Sequence, residues 1–104
     1  MKYKDTQIIE CPNEESFKLH IKALGEMIHI AEKNHLRLNV KIWDEEKFQF
    51  EMIVGMNDRK DQKNALVELM QYFIRVGIEP GKVISSDFVS KPIKQTLEIL
   101  ENVS

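Results

Sequence analysis

From Leu36 to Met56 the chain alternates apolar and polar residues in two successive runs. Leu36, Leu38, Val40 and Ile42 interleave with Arg37, Asn39, Lys41 and Trp43. Phe48, Phe50, Met52, Val54 and Met56 interleave with Gln49, Glu51, Ile53 and Gly55. A period of two sends successive side chains to opposite faces, so both runs predict strands with one apolar face. Asp44, Glu45 and Glu46 between them predict a hairpin loop. Cross-strand neighbours share a face. Ile42 is therefore expected opposite Phe48, and Trp43 opposite Lys47, off the core face.

Upstream, "DTQIIEC" predicts a first strand ending at Pro12. "PNEES" predicts a helix start, with Asn13 as cap and Glu14 and Glu15 in the first turn, where the helix dipole favours acids. Phe17, Ile21, Leu24, Met27, Ile28 and Ala31 recur at helical spacing, which predicts one helix reaching Asn34. Leu19, Ala23 and Ile30 fall beside that stripe, so the apolar arc is wider than one sheet contact needs. A second helix, capped by Asp58 or Asp61, is expected to run to Val76 and stop at Gly77. "KVISS" predicts a short fourth strand at 82–86. Asp87 or Ser90 would then cap a last helix with a stripe of Ile93, Leu97, Leu100 and Val103.

The order β-α-β-β-α-(β) with an additional C-terminal helix is that of a ferredoxin-like two-layer α+β sandwich. Strands one and three are expected in the centre and strand two at an edge, where Arg37 and Lys41 block unwanted pairing. The 104 residues fit a single domain, 1–104. The fold hosts many unrelated activities, so function has to be argued from particular residues.

Composition adds few constraints. Apolar residues make up 42% and charged residues 31%, with a net charge of −2. That balance argues against disorder and against a global pull toward nucleic acid or an anionic membrane. Cys11 stands alone, and the start "MKYKDTQIIE" has no apolar run of a leader. A cytoplasmic protein with no membrane partner is the expectation.

Specific chemistry is sparse. His20, His29 and His35 show no ligand spacing and no accompanying cysteines, which predicts partly exposed histidines and no metal. Cys11 lies at a strand-to-helix junction among Glu10, Glu14 and Glu15, whose charge opposes thiolate formation, so a buried structural cysteine is expected. There is no phosphate loop, nucleophile elbow or recognisable nucleophile–base pair. No cofactor and no catalytic residue are predicted.

The topology itself gives a functional expectation. It brings "ECPNEE", "WDEEK" and "IEPGK" to one end of the sandwich and Lys33, His35, Arg37, Arg59, Lys60 and Lys63 to the other. A nearly neutral chain would thus be electrically lopsided. The leading expectation is a non-catalytic binding module, an inhibitor, immunity-type or regulatory protein, engaging a partner with a basic surface. Trp43 is its anchor, with Asp44, Glu45, Glu46, Glu14 and Glu15 as the charged surround. The competing fate for Trp43 is burial beside Ile53 under the C-terminal helix. An alternative function is nucleic-acid or anion binding through Arg37, Arg59, Lys60 and Lys63. A second alternative is a small-ligand sensor or enzyme with Cys11 or His35 at a pocket. A homodimer is expected to use Leu19 and Ile30, or Val67 and Ile74.

Overall fold

The computed structural model describes residues 2–90. In that span the elements run β1 (Tyr3–Glu10), α1 (Glu14–Lys22), α2 (Leu24–Lys33), β2 (Arg37–Asp44), β3 (Gln49–Met56), α3 (Arg59–Val76) and β4 (Lys82–Ser90). The strands form one antiparallel sheet in the order β2-β3-β1-β4, so β1 and β3 are central, as the sequence predicts. The helices cover one face, and the fold is the ferredoxin-like α+β sandwich.

The single helix expected over 13–34 is two. Asn13 caps α1 as predicted, its Oδ1 accepting the Ser16 amide at 2.8 Å. At Ala23 the backbone leaves helical geometry, with ψ near 1°. Its N–H is shared between the carbonyls of Leu19 and His20, at 3.0 and 3.1 Å. The break explains the wide apolar arc. Phe17 and His20 are buried on α1, and Met27, Ile30 and Ala31 on α2, so each segment aims its own stripe at the sheet.

Helix α3 is fixed at both ends. Asp58 caps it, its Oδ1 accepting the Lys60 amide at 2.9 Å. Gly77 ends it in the left-handed region at φ 76°. A Cβ there would touch nothing within 4 Å, so only backbone strain opposes a side chain. Gly77→Ala is accordingly expected to cost about 1 kcal/mol, read from the midpoint of urea unfolding.

Pairing of β1 with β3 aligns Asp5 with Val54, Gln7 with Met52 and Ile9 with Phe50. Those pairs form the helix-facing side of the sheet. Ile9, Phe50 and Cys11 pack with Phe17, while Val54 and Met56 pack with Ala31, Leu36 and Ala65. Ala23, Met27, Phe73 and Ile78 form a third cluster where the helices meet.

The structure corrects three details. Ile42 pairs with Phe50, not Phe48, and Asp44 pairs with Gln49, so Trp43 is an extra residue in a β-bulge. Asp44 therefore lies in β2, and the connection is 45–48, with Phe48 at φ 59°. A bulge adds one residue to one arm and so defeats a count based on strict alternation. Strand β4 runs to Ser90, past the expected end at 86, so Asp87 is a strand residue and not a helix cap. Phe88 and Val89 prefer a strand, and β1 supplies a pairing partner through to Tyr3. The predicted C-terminal helix lies outside the described residues.

Candidate functional site

The sheet register assembles the acidic end. Glu10 pairs with Gln49 on one side and Lys82 on the other, and Gln49 pairs with Asp44. The Cys11 amide donates to the Phe48 carbonyl at 2.9 Å, joining the first strand-to-helix junction to the hairpin tip. Phe17 and Phe48 rings lie 6.2 Å apart and tie α1 to the same tip. Ser16 Oγ donates to the Glu79 carbonyl at 2.7 Å and brings in the 78–81 turn. The three expected corners therefore meet.

Within that end, Trp43 is 56% exposed and its neighbour Ile42 is 51% exposed. Among the described residues the indole is thus not enclosed, and an apolar pair stands at the sheet edge beside the acids. Glu45 and Glu46 are exposed at the tip, and Asp44 is half-buried. Asp44 Oδ1 accepts the Lys47 amide at 3.2 Å, which holds the turn. Glu14 and Glu15 are exposed on the first turn of α1, with Glu14 ion-paired to Lys18 at 3.0 Å. Exposed pairs of this kind contribute about 0.5 kcal/mol or less, so Glu14 remains available for steering.

The basic residues of the alternative site also share an end, where Arg59 and the neighbouring Lys33 are already engaged. The Arg59 guanidinium lies 4.5 Å over the Phe88 ring, which stacks on Tyr3 at 5.6 Å. Lys33 pairs with Glu68 at 3.1 Å and holds that carboxyl below its usual range. Arg37, Lys60 and Lys63 are exposed. On the sheet face away from α1, α2 and α3, Lys41 is 3.5 Å from Glu51, opposite it on β3, so that face is not uniformly basic.

The spacing of the histidines does not reveal that one of them is buried and hydrogen-bonded through both ring nitrogens near the acidic end. His20 is 1% exposed, not partly exposed on a helix surface. Its Nδ1–H donates to the Ser16 carbonyl at 2.7 Å, and its Nε2 accepts the Gly81 N–H at 3.2 Å. Accepting from Gly81 requires a bare Nε2, so the ring is neutral, and burial lowers its pKa accordingly. A Cβ at Gly81 would collide with Ile9 Cγ2 and approach the Glu10 carbonyl to 3.3 Å. The close approach of the Gly81 turn to β1 is what places its amide on His20. The spacing of Ser16 and His20, one helical turn apart, was visible, but the contact with Gly81 is set by tertiary structure.

Cys11 is 3% exposed, and burial pushes its thiol pKa up, outweighing the opposite influence of the nearby Ser16 hydroxyl. A thiol held protonated and covered is a poor nucleophile. Cys11 is expected to react with a thiol reagent at least 100-fold more slowly in the native protein than in 6 M guanidinium. His35 is exposed, with φ 65° in a turn. Neither residue lines the cavity between the helices and the sheet. Among the described residues no His, Cys, Asp and Glu group is arranged to hold a metal, and no helix is long and apolar enough to cross a membrane.

No protein-family model and no curated protein matches the chain. Among solved structures it is similar to a dimeric ferredoxin-like protein from an uncultured marine organism, with a TM-score of 0.60 at 13% identity. That likeness covers 86% of this chain and 94% of the other, and it establishes the ferredoxin-like fold of this chain and nothing finer.

Proposed function

We propose that the protein is a non-catalytic binding module that engages a basic protein surface through its acidic end. The observation that carries this reading is the exposure of Trp43 on a bulge, beside exposed Ile42 and the acids of the hairpin tip. An indole displayed this way offers large apolar area at small entropic cost, the usual make-up of an interface anchor. Asp44, Glu45, Glu46, Glu14 and Glu15 act over a Debye length of about 8 Å to steer a cationic partner. The bulge also twists the β2 edge away from further strand pairing, which suits side-chain docking better than strand addition.

The test is affinity of the same captured partner for a set of variants. Trp43→Ala is expected to weaken binding by about 30-fold or more, mainly through faster dissociation. Glu45→Gln with Glu46→Gln is expected to slow association and flatten its salt dependence. Unchanged affinity in both variants would reject the reading. Retention of the protein on a nucleic-acid column at low salt, lost in Arg37→Ala with Lys60→Ala, would favour the alternative instead.

A second association is supported by β4. Val83, Ile84, Phe88 and Val89 are all between 36% and 59% exposed, along with Val67 of α3. Beyond β4 no strand pairs among the described residues. A long apolar edge strand invites pairing with a copy of itself, and the structural neighbour is a dimer. Ile30 is 4% exposed and belongs to the core, so the Leu19–Ile30 dimer face is withdrawn. A concentration-dependent dimer mass by light scattering that Ile84→Lys abolishes would support β4 pairing; a monomer at all concentrations would not.

A further inference from the structure

A cavity of about 330 Å³ lies between α2, α3 and the sheet. Protein interiors pack to crystal density, so a space of this size inside a small domain calls for a reason. It falls at the lower end of small-ligand pockets, about 300–1,000 Å³. Its wall is mostly apolar, with Met27, Leu38, Met52 and Leu69 among the contributors. Asp5, Gln7, Gln62 and Lys63 complete it. We propose that this cavity binds a small organic cation, a primary ammonium carried on an apolar body.

Asp5 decides the class of ligand. It is 5% exposed, and the ion pairs of the described residues do not include it. Its Oδ2 accepts Gln7 Nε2–H and Gln62 Nε2–H, each at 2.8 Å. Its Oδ1 accepts Ser86 Oγ–H at 2.9 Å. Two amides and a hydroxyl thus hold the group in place without supplying positive charge. A carboxylate offers about four acceptor positions, so one is left. Each glutamine also directs an N–H at Asp5 and keeps its carbonyl oxygen as an acceptor. Besides one spare N–H on each amide, the cluster offers acceptor oxygens on Asp5, Gln7 and Gln62, grouped about a buried carboxylate with no cation among its hydrogen-bond partners. A primary ammonium brings three donors and the missing charge, whereas an anion or an ether brings neither. The hydrocarbon wall requires the rest of the ligand to be apolar.

Lys63 is exposed at the rim. A plain alkylamine would leave it in water, while an apolar amino acid would place its carboxylate there. The two sources share the ammonium and the apolar body, and they are separable by experiment. This site is distinct from the acidic end and does not depend on the reading given for it.

The test is calorimetric titration of the full chain with isoamylamine, leucine, isoamyl alcohol and 4-methylpentanoate. Saturable binding of isoamylamine or leucine is expected, with alcohol and acid at least tenfold weaker. Lys63→Ala should weaken leucine and spare isoamylamine if the amino acid is the better ligand. Asp5→Asn should weaken the amine at least tenfold. Ala65→Leu, which fills the cavity from α3 and keeps the carboxylate, should abolish binding while preserving the circular dichroism spectrum. Equal binding of the alcohol or the acid, no binding of either amine, or full amine affinity in Ala65→Leu would overturn the proposal. The last measurement decides the matter even if Asp5→Asn fails to fold.

Discussion

His20→Ala is expected to lower unfolding stability by about 3–5 kcal/mol, a large fraction of what a domain of this size possesses. Two losses add. The ring sits 5.5 Å from Phe50 and 5.0 Å from Phe73, so its removal opens a cavity at the meeting of two core clusters. It also strands the Ser16 carbonyl and the Gly81 amide, which now partner its two nitrogens; a buried group left unpaired costs about 1–3 kcal/mol. The same geometry sets a pH dependence. Burial lowers the folded-state pKa below that of the free imidazole, about 6.5, so the unfolded chain binds the proton more readily. The contribution of His20 is complete above pH 6.5, falls as pH drops through that value, and levels off below the folded-state pKa. Urea unfolding between pH 8 and pH 5 should show the decline in the wild type. His20→Gln, which lacks the titration, should show a shallower one.

Phe50→Ala is expected to cost about 4 kcal/mol. Phe50 is 1% exposed at the centre of the sheet, opposite Ile9 on β1 and Ile42 on β2. It packs with Ile9, Cys11 and Phe17, so its loss loosens the cluster that also holds Phe48 and the hairpin tip. Phe50→Leu keeps most of the volume and should cost about 1 kcal/mol. Guanidinium unfolding of the pair separates packing from hydrophobicity. If the alanine variant lost less than 1.5 kcal/mol, the helix-to-sheet core would not be organised as described.

The fold was legible because its signals are local. Alternation over 36–56 marked the hairpin, Asn13 and Asp58 marked helix starts, and Gly77 marked a stop. What escaped depended on one extra residue or on a distant partner. The bulge at Trp43 shifts the pairing by two positions without altering composition. The break at Ala23 leaves the apolar stripes of α1 and α2 looking like one wide arc. The length of β4 was hidden because "SSDF" resembles a helix cap as much as a strand. At the acidic end, the meeting of the corners followed from topology alone, whereas the His20–Gly81 contact did not. The buried Asp5 cluster has a local signature as well. Asp5 and Gln7 share the parity of Ile9, which puts polar side chains on the core face of a central strand. A polar residue at such a position normally has dedicated partners, and here they come from residues as distant as Gln62 and Ser86.

The most direct measurement places a photoreactive benzophenone amino acid at position 43 and, as a control, at exposed Ile74 on α3. Irradiation in cell extract should yield one prominent adduct at position 43, to a protein with a basic surface, absent from the Ile74 control. Neutralising Glu45 and Glu46 should reduce that adduct, as should raising the salt. Adducts equally abundant at both positions, or only to a second copy of this chain, would contradict a partner surface at the acidic end.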